Sequence, residues 1–360
     1  WEDFVQFFRA TQKIKIGDRF VGDDEPCYIV AEAGSNHNGS LVQALKLVDV
    51  AVEAKVDAVK FQTFSAEKLY SRKTPKMTYL SEKNLAGERE TVWELLKKAE
   101  MPREWHKELA DYCKEKGVEF FSTPFDIQAV DELEEIGVNV YKIASFEITH
   151  LPLLEHVAGT GKPIILSTGM SDLSDIETAL EVINKQGNHN VMLLHCAINY
   201  PPDFKDLNLR SMNTMRQAFQ LPVGFSDHTM GITSDIAAVA LGASMIEKHF
   251  TLDRNMKGLD HPFALEPQEL NDMVQSIRDT EASLGSPIKR HTEAEEEMYR
   301  LGRRSLVAIC DIAEGMVITR EMIDVKRPGY GIHPRMIDVV IGRVAKINIE
   351  KDDILSWEMV

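Results

Sequence analysis

The amino-acid sequence predicts a (β/α)8 barrel followed by a small β-rich module. Eight short apolar runs are separated by segments with helical spacing of apolar residues, a pattern typical of parallel strands joined by crossover helices. Each run ends in polar or ionisable residues, and barrel chemistry occurs where the strands end. The eight runs are 28–33, 57–62, 118–123, 138–144, 163–168, 191–196, 222–227 and 244–249.

Helical patterns follow most of the predicted strands. Ser40 is suited to cap a helix over 41–54, because its hydroxyl can accept a hydrogen bond from a backbone N–H of the first turn. Segment 64–100 is long and polar, and we interpret it as a flap near the site. The other predicted helices are 102–116, 127–136, 175–186, 207–219, 232–241 and 266–284.

A change in composition and in the pattern of apolar residues near Gly285 marks a domain boundary. We assign 1–22 to an N-terminal extension, 23–285 to the barrel and 286–303 to a polar linker. Residues 304–360 contain short β-like runs and turns, which predict a compact module. A core that small is marginally stable alone, so we expect the module to dock on another surface.

Composition restricts the classes of partner. The formal net charge of −16 over 360 residues argues against nucleic acid and anionic membranes, because both require a basic surface. No apolar run approaches the roughly 20 residues that span a bilayer. The four cysteines show no paired spacing, which favours buried, reduced thiols in a cytoplasmic protein.

Alternation of side chains along a strand indicates which polar residues face the barrel interior. In the second, seventh and eighth runs, two polar residues near the strand end fall on the same face, and the residue between them points away. These pairs are Lys60 with Gln62, Ser226 with His228, and Glu247 with His249. The parity predicts one polar site at the barrel mouth.

His228 and His249 are the candidate metal ligands. They end neighbouring strands, which lie about 5 Å apart in a sheet. Two imidazoles at that separation, joined by Glu247 or water, suit a divalent cation of intermediate hardness such as Mn²⁺. The alternative is a pair of structural histidines at the strand ends.

The positions of Lys60 and Lys142 near strand ends predict an anion-binding region, because a lysine buried in a barrel mouth needs a negative partner. Hydroxyl groups near other strand ends would assist: Ser145, Ser167, Thr168 and Ser226. The alternatives are ion pairs with Glu32 or Glu147, or a Schiff-base lysine of an aldolase. Glu32 itself is either a base, an acceptor for substrate hydroxyls, or a carboxylate that fixes its loop.

Seven sequence blocks resemble the sialic acid synthase family, and the resemblance extends from about residue 15 to residue 360. The blocks are Ala-Glu-Ala-Gly-Ser-Asn-His-Asn-Gly at 31–39, Val-Lys-Phe-Gln-Thr-Phe at 59–64, Phe-Ser-Thr-Pro-Phe at 121–125, Tyr-Lys-Ile-Ala-Ser at 141–145, Leu-Ser-Thr-Gly-Met at 166–170, Gly-Phe-Ser-Asp-His-Thr at 224–229 and Ile-Glu-Lys-His-Phe at 246–250. Members of this family condense phosphoenolpyruvate with an N-acylated hexosamine to form a nonulosonic acid.

The resemblance implies a role for each strand-end residue. Glu32, His228 and Lys60 would be catalytic, and His228 and His249 would bind Mn²⁺ or Mg²⁺, which polarises the sugar aldehyde. The implied phosphoenolpyruvate-binding residues are Lys60, Gln62, Thr123, Lys142, Ser145, Ser167, Thr168 and Ser226. The implied sugar-binding residues are Phe125, Asn199, Tyr200, Asp260 and Arg327.

The C-terminal module is similar to the antifreeze-like (SAF, β-clip) domain of the same family. The resemblance implies a domain-swapped homodimer, in which this module places Arg327 against the sugar bound by another subunit.

Two departures from the family pattern concern the sugar. Ile198 stands where the family commonly has a polar residue, and Asn199 is one position away. The Ala-Ser-Phe-Glu-Ile sequence at 144–148 is closer to pseudaminic acid and spore-polysaccharide relatives. N-acetylmannosamine is the primary expectation, and a di-N-acetylated deoxyhexose is the alternative.

Two hypotheses from other classes remain open. In one, the C-terminal module binds ice or glycan, although Lys326, Arg327, His333 and Arg335 give the segment more charge than an ice-binding face carries. In the other, the barrel is an aldolase that forms a Schiff base through Lys60 or Lys142.

Overall fold

The computed structural model describes residues 13–76 and 91–360. The chain divides into two compact units, Trp1–Gly285 and Ser286–Val360. Part of the predicted flap, 77–90, and part of the N-terminal extension, 1–12, lie outside the described residues. In the described ranges, no helix is long and apolar enough to cross a membrane.

The first unit is a (β/α)8 barrel, as the sequence predicts. Strands β3 to β10 form one sheet in the order β5-β4-β3-β10-β9-β8-β7-β6, and each hydrogen-bonded pair runs parallel. The strands are β1 (Lys13–Ile16), β2 (Arg19–Gly22), β3 (Tyr28–Gly34), β4 (Ala58–Thr63), β5 (Glu119–Pro124), β6 (Tyr141–Ile143), β7 (Ile164–Ser167), β8 (Val191–Cys196), β9 (Val223–Asp227), β10 (Met245–His249), β11 (Ser305–Ala308) and β12 (Ile323–Lys326). Between β5 and β6, Asn139 Nδ2 donates to Glu119 Oε1 at 3.0 Å.

Helices occupy the connections between the strands. The described helices are α1 (Leu41–Glu53), α2 (Ala66–Leu69), α3 (Val92–Ala99), α4 (Trp105–Lys116), α5 (Ile127–Ile136), α6 (Leu151–Gly159), α7 (Leu173–Lys185), α8 (Ser211–Phe219), α9 (Thr233–Ala240), α10 (Pro267–Leu284), α11 (Glu296–Gly302) and α12 (Ile337–Val340). Ser40 caps α1 as predicted, since its side chain accepts from Gln43 N. The sequence reading missed α6, which is short and apolar over most of its length and therefore lacks a clear amphipathic period.

The barrel side chains separate into an outer and an inner core. Outward residues such as Ile29, Val59 and Phe225 pack under the helices. Inward residues form a second cluster with the β1–β2 hairpin: Ile14, Ile16, Val21, Tyr28, Val30, Ala58, Phe121, Val140, Ile165, Met192, Leu194 and Met245. The described part of the predicted extension therefore contributes to the inner core of the barrel.

The inner core depends on one glycine of β9. A Cβ atom at Gly224 would lie 2.5 Å from the carbonyl oxygen of Met245 and 2.6 Å from Leu194 Cδ2. Real Cβ contacts of this length do not occur, so a larger residue would push β9 away from its neighbours.

The second unit is small, rich in turns and strands, and has its own core. Strands β11 and β12 pair antiparallel, and isolated bridges join further segments. The core consists of Leu306, Ala308, Ile312, Ile318, Ile323, Ile332, Val340, Ala345, Ile349, Leu355 and Val360. This confirms the predicted β-rich module.

The described cysteines are free thiols. Cys27, Cys113 and Cys196 are buried, as the sequence predicts. Cys310 is exposed, so the expectation of burial is wrong at that position.

Candidate active site at the barrel mouth

A cavity opens at the carboxyl ends of the barrel strands; together with the open space at its mouth it has a volume of about 1270 Å³. Side chains alternate in direction along each strand, and each strand contributes its inward residues to this cavity. Its polar lining includes Glu32, Ser35, Lys60, Gln62, Thr123, Lys142, Ser145, Glu147, Ser167, Ser226, His228, Glu247, His249 and Asp260. The structure therefore brings most of the predicted site residues together.

Lys60 lies between two carboxylates. Its Nζ is 2.7 Å from Glu32 Oε2 and 3.7 Å from Glu247 Oε2, and it donates to Thr123 Oγ1 at 3.1 Å. Burial by itself lowers the pKa of Lys60, but Glu247 and Glu32 outweigh burial and raise it. Lys60 is therefore a permanent cation, and the ion pair with Glu32 that the sequence left open is present.

Lys142 has a less negative environment. Its Nζ donates to Ser167 Oγ at 2.6 Å and to the Ile143 carbonyl at 3.0 Å, while Glu247 Oε1 is 3.9 Å away. Burial lowers the pKa of Lys142. An anion bound beside Lys142 would compensate the charged lysine for the hydration that it loses on burial, so the geometry favours anion binding here. In the described residues, neither Lys60 nor Lys142 pairs with Glu147.

Glu247 balances the two lysines. Burial alone would raise the pKa of its carboxyl, but Lys142 and Lys60 outweigh burial and hold the pKa at about 2. Ser226 Oγ donates to Glu247 Oε1 at 2.9 Å. Glu247 is therefore ionised, and it orients the predicted anion-binding hydroxyl of Ser226.

His228 and His249 form an imidazole pair at one edge of the cavity. Their ring centroids are 5.2 Å apart. Burial lowers the pKa of each histidine to about 3, so both rings are neutral and can offer a lone pair. His249 Nδ1 is buried and makes no hydrogen bond within the described residues, and Asp260 Oδ2 is 3.7 Å from it.

The imidazole pair suits a divalent cation, but it supplies only some of the ligands that such a cation needs. In 13–76 and 91–360, no group of three His, Cys, Asp or Glu side chains is arranged to hold a metal ion. Catalytic metal sites keep positions open for water or substrate. The two histidines would therefore provide only part of the coordination shell.

Glu32 has the properties of a general base. It is fully buried, and Gln62 Nε2 donates to its Oε1 at 2.6 Å. Burial raises the pKa of Glu32 to about 7, although Lys60 opposes the shift. A carboxyl group that titrates near neutral pH can accept a proton and release it again during turnover.

Asp260 is fixed by the loop that follows β3. Its Oδ2 accepts hydrogen bonds from Ser35 N at 3.2 Å and from Ser35 Oγ at 3.1 Å. Gly34 has φ of +49°, and a Cβ there would lie 2.5 Å from Asp260 Oδ2. Glycine therefore allows the loop to approach the carboxylate, and the Ala-Gly-Ser sequence serves to orient Asp260 towards the cavity.

An apolar wall lines part of the cavity. Short helices α2 and α3 provide much of it, which agrees with the interpretation of 64–100 as a segment near the site. The wall consists of Phe64, Leu69, Val92, Leu95, Leu96, Ala99, Phe125, Phe146, Ile198 and Leu259. Tyr200 also lines the cavity and packs on His228 with ring centroids 4.5 Å apart.

Two predicted site residues lie outside this cavity, and a third, Arg327, was predicted to act at the site of another subunit. Thr168 points away from the cavity, and its Oγ1 donates to the Leu194 carbonyl at 3.0 Å. Strand alternation requires this, because Ser167 faces inward. Asn199 and Thr168 both line a separate groove on the β7–β8 side. Arg327 belongs to the second unit, where it is exposed and its Nε donates to the Gly302 carbonyl at 2.8 Å.

The predicted residue set also omitted several groups that line the cavity. The parity of the eighth run places Glu247 at the barrel mouth, but the resemblance assigns it no binding role. Tyr70 belongs to the segment interpreted as a flap, and Glu147 lies on the connection that follows β6. Burial raises the pKa of Glu147 to about 7.

Comparison with known proteins gives a consistent result. Residues 47–289 match the NeuB family, and residues 303–360 match the SAF domain. The N,N'-diacetyllegionaminic acid synthase of Campylobacter jejuni is 44% identical, over 91% of this chain and 98% of its own length. The human N-acetylneuraminate-9-phosphate synthase is 35% identical, over 95% of both chains.

A solved structure is similar in fold and in sequence. The crystal structure of N-acetylneuraminic acid synthetase from Leptospira borgpetersenii, in complex with citrate, superimposes with a TM-score of 0.71 at 36% identity. The match covers 79% of this chain and 94% of that chain. The chain therefore belongs to the NeuB family, with a C-terminal SAF domain.

Proposed function

We propose that this chain is a nonulosonic acid synthase, which condenses phosphoenolpyruvate with the open-chain aldehyde of an N-acylated hexosamine. The observation that carries this proposal is a single cavity with two buried lysines beside a neutral imidazole pair. The lysines suit a small, highly charged anion, and the imidazoles suit a divalent cation. Relatives named as legionaminic, pseudaminic and N-acetylneuraminate-9-phosphate synthases support the same reaction class.

The anion-binding residues would hold the carboxylate and phosphate of phosphoenolpyruvate. Lys60 and Lys142 supply the charge, and the neighbouring hydroxyls and amide supply hydrogen bonds. The residues proposed for this role are Lys60, Gln62, Thr123, Lys142, Ser145, Ser167 and Ser226. Thr168 is not among them, because its side chain leaves the cavity.

His228 and His249 would hold Mn²⁺ or Mg²⁺, which acts as a Lewis acid on the sugar aldehyde when bound. Carbon 3 of phosphoenolpyruvate attacks the aldehyde carbon, and the new C–C bond forms as the C=O π bond breaks; the aldehyde oxygen takes up a proton and becomes a hydroxyl group, and carbon 2 is left as an oxocarbenium ion. Water then adds at carbon 2, and Glu32 accepts one proton of that water. Phosphate leaves by C–O cleavage as the remaining hydroxyl at carbon 2 loses its proton, which gives the keto group. Lys60 and Lys142 stabilise the departing phosphate by charge.

The apolar wall favours the second of the two sugars that the sequence leaves open. N-acetylmannosamine presents hydroxyl groups on most of its carbons, whereas a di-N-acetylated 6-deoxyhexose presents a methyl group and a second acetyl group. Phe64, Phe125 and Ile198 can pack on such groups, because burial of apolar surface is favourable. Two relatives that are 44% and 42% identical to this chain are named N,N'-diacetyllegionaminic acid synthases.

The quaternary structure is part of the same proposal. We propose a domain-swapped homodimer, in which Arg327 of the partner subunit binds the sugar. The exposed position of this arginine in the SAF domain supports the proposal, because a solvent-facing guanidinium is available to a second chain.

Product analysis tests the function directly. The full chain is incubated with phosphoenolpyruvate and Mn²⁺, together with either N-acetylmannosamine or the di-N-acetylated deoxyhexose, and released phosphate and 2-keto acid are measured. We expect both products, with the higher kcat/KM for the di-N-acetylated sugar. Absence of turnover with every N-acyl hexosamine would contradict the proposal.

Two controls separate this reaction from that of a Schiff-base aldolase. A chelator should abolish turnover of the synthase. Borohydride in the presence of pyruvate should leave the mass of the protein unchanged, because no lysine forms an imine. A borohydride-stable adduct on Lys60 or Lys142 would favour the aldolase.

A further inference from the structure

A buried ion pair lies directly behind the two cavity histidines, on the outer face of the barrel. Lys248 and Asp227 are cross-strand partners on β10 and β9, and each is about 1% exposed. Lys248 Nζ donates to Asp227 Oδ2 and also to the carbonyl oxygen of Thr229 at 2.7 Å. The ion pair therefore joins the two strands that carry His228 and His249.

The Asp227 carboxylate fixes the chain on both sides of His228. It accepts from Thr229 N at 2.9 Å, from Thr229 Oγ1 at 2.9 Å, and from Ser234 Oγ at 2.7 Å. Ser234 lies in the first turn of α9, so the same carboxylate connects the end of β9 to the following helix. Residues 227 and 229 are thus both held by Lys248, the residue that precedes His249.

Stability alone is a poor explanation for this arrangement. Two charges lose their hydration on burial, and a well-packed apolar pair of similar volume is often equally stable or more stable. An apolar pair would not, however, fix the backbone of residues 227–229 relative to β10. A hydrogen-bonded ion pair has one preferred geometry, which determines the separation of the two strand ends.

We propose that Lys248 and Asp227 are positioning residues that set the spacing of His228 and His249 for a divalent cation. This inference rests on the proposed two-histidine metal site. The positioning acts through the backbone: the ion pair restrains the peptide units that flank each histidine, and the rings therefore stay 5.2 Å apart. Residues that orient metal ligands by hydrogen bonding to them typically change metal affinity about 10- to 100-fold when they are replaced, and the lower end of that range is the expectation for positioning through the backbone.

The test measures Mn²⁺ binding by the full-length, substrate-free protein, with electron paramagnetic resonance of free Mn²⁺ as the readout. Lys248→Met and Asp227→Asn should each weaken Mn²⁺ binding at least about 10-fold. The KM for phosphoenolpyruvate, measured at saturating Mn²⁺, should change less than about two-fold, because Ser226 is the one residue proposed to bind this substrate that lies on β9, and none of them lies on β10.

Asp235→Asn is the matched control. Asp235 Oδ2 is 3.5 Å from Lys248 Nζ, and the carboxyl group of Asp235 also neighbours that of Asp227. Asparagine keeps the shape of this side chain, and the substitution leaves the hydrogen bonds of Asp227 to Lys248 and Thr229 in place. The Mn²⁺ affinity and the KM for phosphoenolpyruvate of this variant should match those of the unsubstituted chain.

The outcomes separate positioning from stability and from failure of the metal site. A lower melting temperature with unchanged Mn²⁺ affinity in both variants would overturn the inference. If Lys248→Met does not fold, as judged by circular dichroism, Asp227→Asn decides, because it keeps the side-chain shape and one acceptor oxygen. Unchanged Mn²⁺ binding by a His228→Ala, His249→Ala double variant would instead disprove the proposed metal site, and this inference would fail with it. The synthase reaction would be a separate question, because phosphate release by the unsubstituted chain would still support it.

Discussion

At the scale of single residues, the two cavity lysines have different electrostatic roles. Lys60 is already paired with Glu32 and close to Glu247, whereas Lys142 has only a hydroxyl, a carbonyl and one distant carboxylate. An incoming anion therefore gains more from Lys142, whose charge is less compensated. The anion must also overcome the net charge of −16 on the chain, so local cations are necessary for its binding.

Replacement of Lys142 tests this difference. Lys142→Met should raise the KM for phosphoenolpyruvate roughly 10- to 150-fold, because a hydrogen bond to a charged group contributes about 1.5–3 kcal/mol. Steady-state kinetics at saturating sugar and Mn²⁺ provide the measurement. Lys185→Met, on the exposed face of α7, is the control and should leave KM unchanged. Equal KM values for both variants would exclude Lys142 from anion binding.

The pH dependence of kcat/KM tests Glu32 as the general base. Burial raises its pKa to about 7, so its basic form is lost as the pH falls through 7. We expect kcat/KM to decline on the acidic side of pH 7 and to reach a plateau above it. Glu32→Gln should remove this acidic limb and lower kcat about 10²- to 10⁴-fold.

Glu147 provides a demanding control for the pH profile. Its pKa is also raised to about 7 by burial, and it lines the same cavity. Glu147→Gln should retain the acidic limb if Glu32 is the base. Loss of the limb in Glu147→Gln, together with its persistence in Glu32→Gln, would assign the base to Glu147.

At the scale of elements, alternation along the strands was the most informative signal in the sequence. It placed Lys60 with Gln62 and Ser226 with His228 inside the barrel, and it could have excluded Thr168, which follows the inward Ser167. Positions beyond the strand ends were not accessible in this way. Asn199 and Glu147 follow their strands on connecting segments, and their directions depend on tertiary packing that no short-range periodicity encodes.

The β1–β2 hairpin shows a second limit of the sequence. Its alternation of exposed and buried residues is typical of any edge hairpin, and nothing local indicates that Ile14, Ile16 and Val21 enter the inner core of a barrel. Only the whole fold reveals that the inner strand residues need a cover, and the hairpin provides it.

Substitutions in the hairpin test this role. Ile14→Ala should lower the free energy of unfolding by about 2–5 kcal/mol, the usual cost of a cavity in a packed core. Phe20→Ala is the control on the same hairpin, because Phe20 is 53% exposed and should cost little. Denaturant unfolding gives both values. Equal losses for the two variants would show that the hairpin does not pack as described.

At the scale of the whole molecule, the proposed dimer would form each active site from two chains. Each barrel would supply Lys142 and Glu32, and the SAF domain of the other chain would supply Arg327. The two halves of a site can then be inactivated on different chains. In a heterodimer of Lys142→Met with Arg327→Ala, one site carries both defects and the other carries none.

Co-expression of these two variants distinguishes an intersubunit site from one completed within a chain. Random pairing makes half of the dimers mixed, each with one intact site, so activity should return to about a quarter of that of the unsubstituted dimer. Lys142→Met with Glu32→Gln is the control: both defects lie in the barrel, each site in the mixed dimer keeps one of them, and activity should stay at the level of the single variants. If Arg327 served the barrel of its own chain, the first mixture would also show no recovery, because every site would then contain a defect.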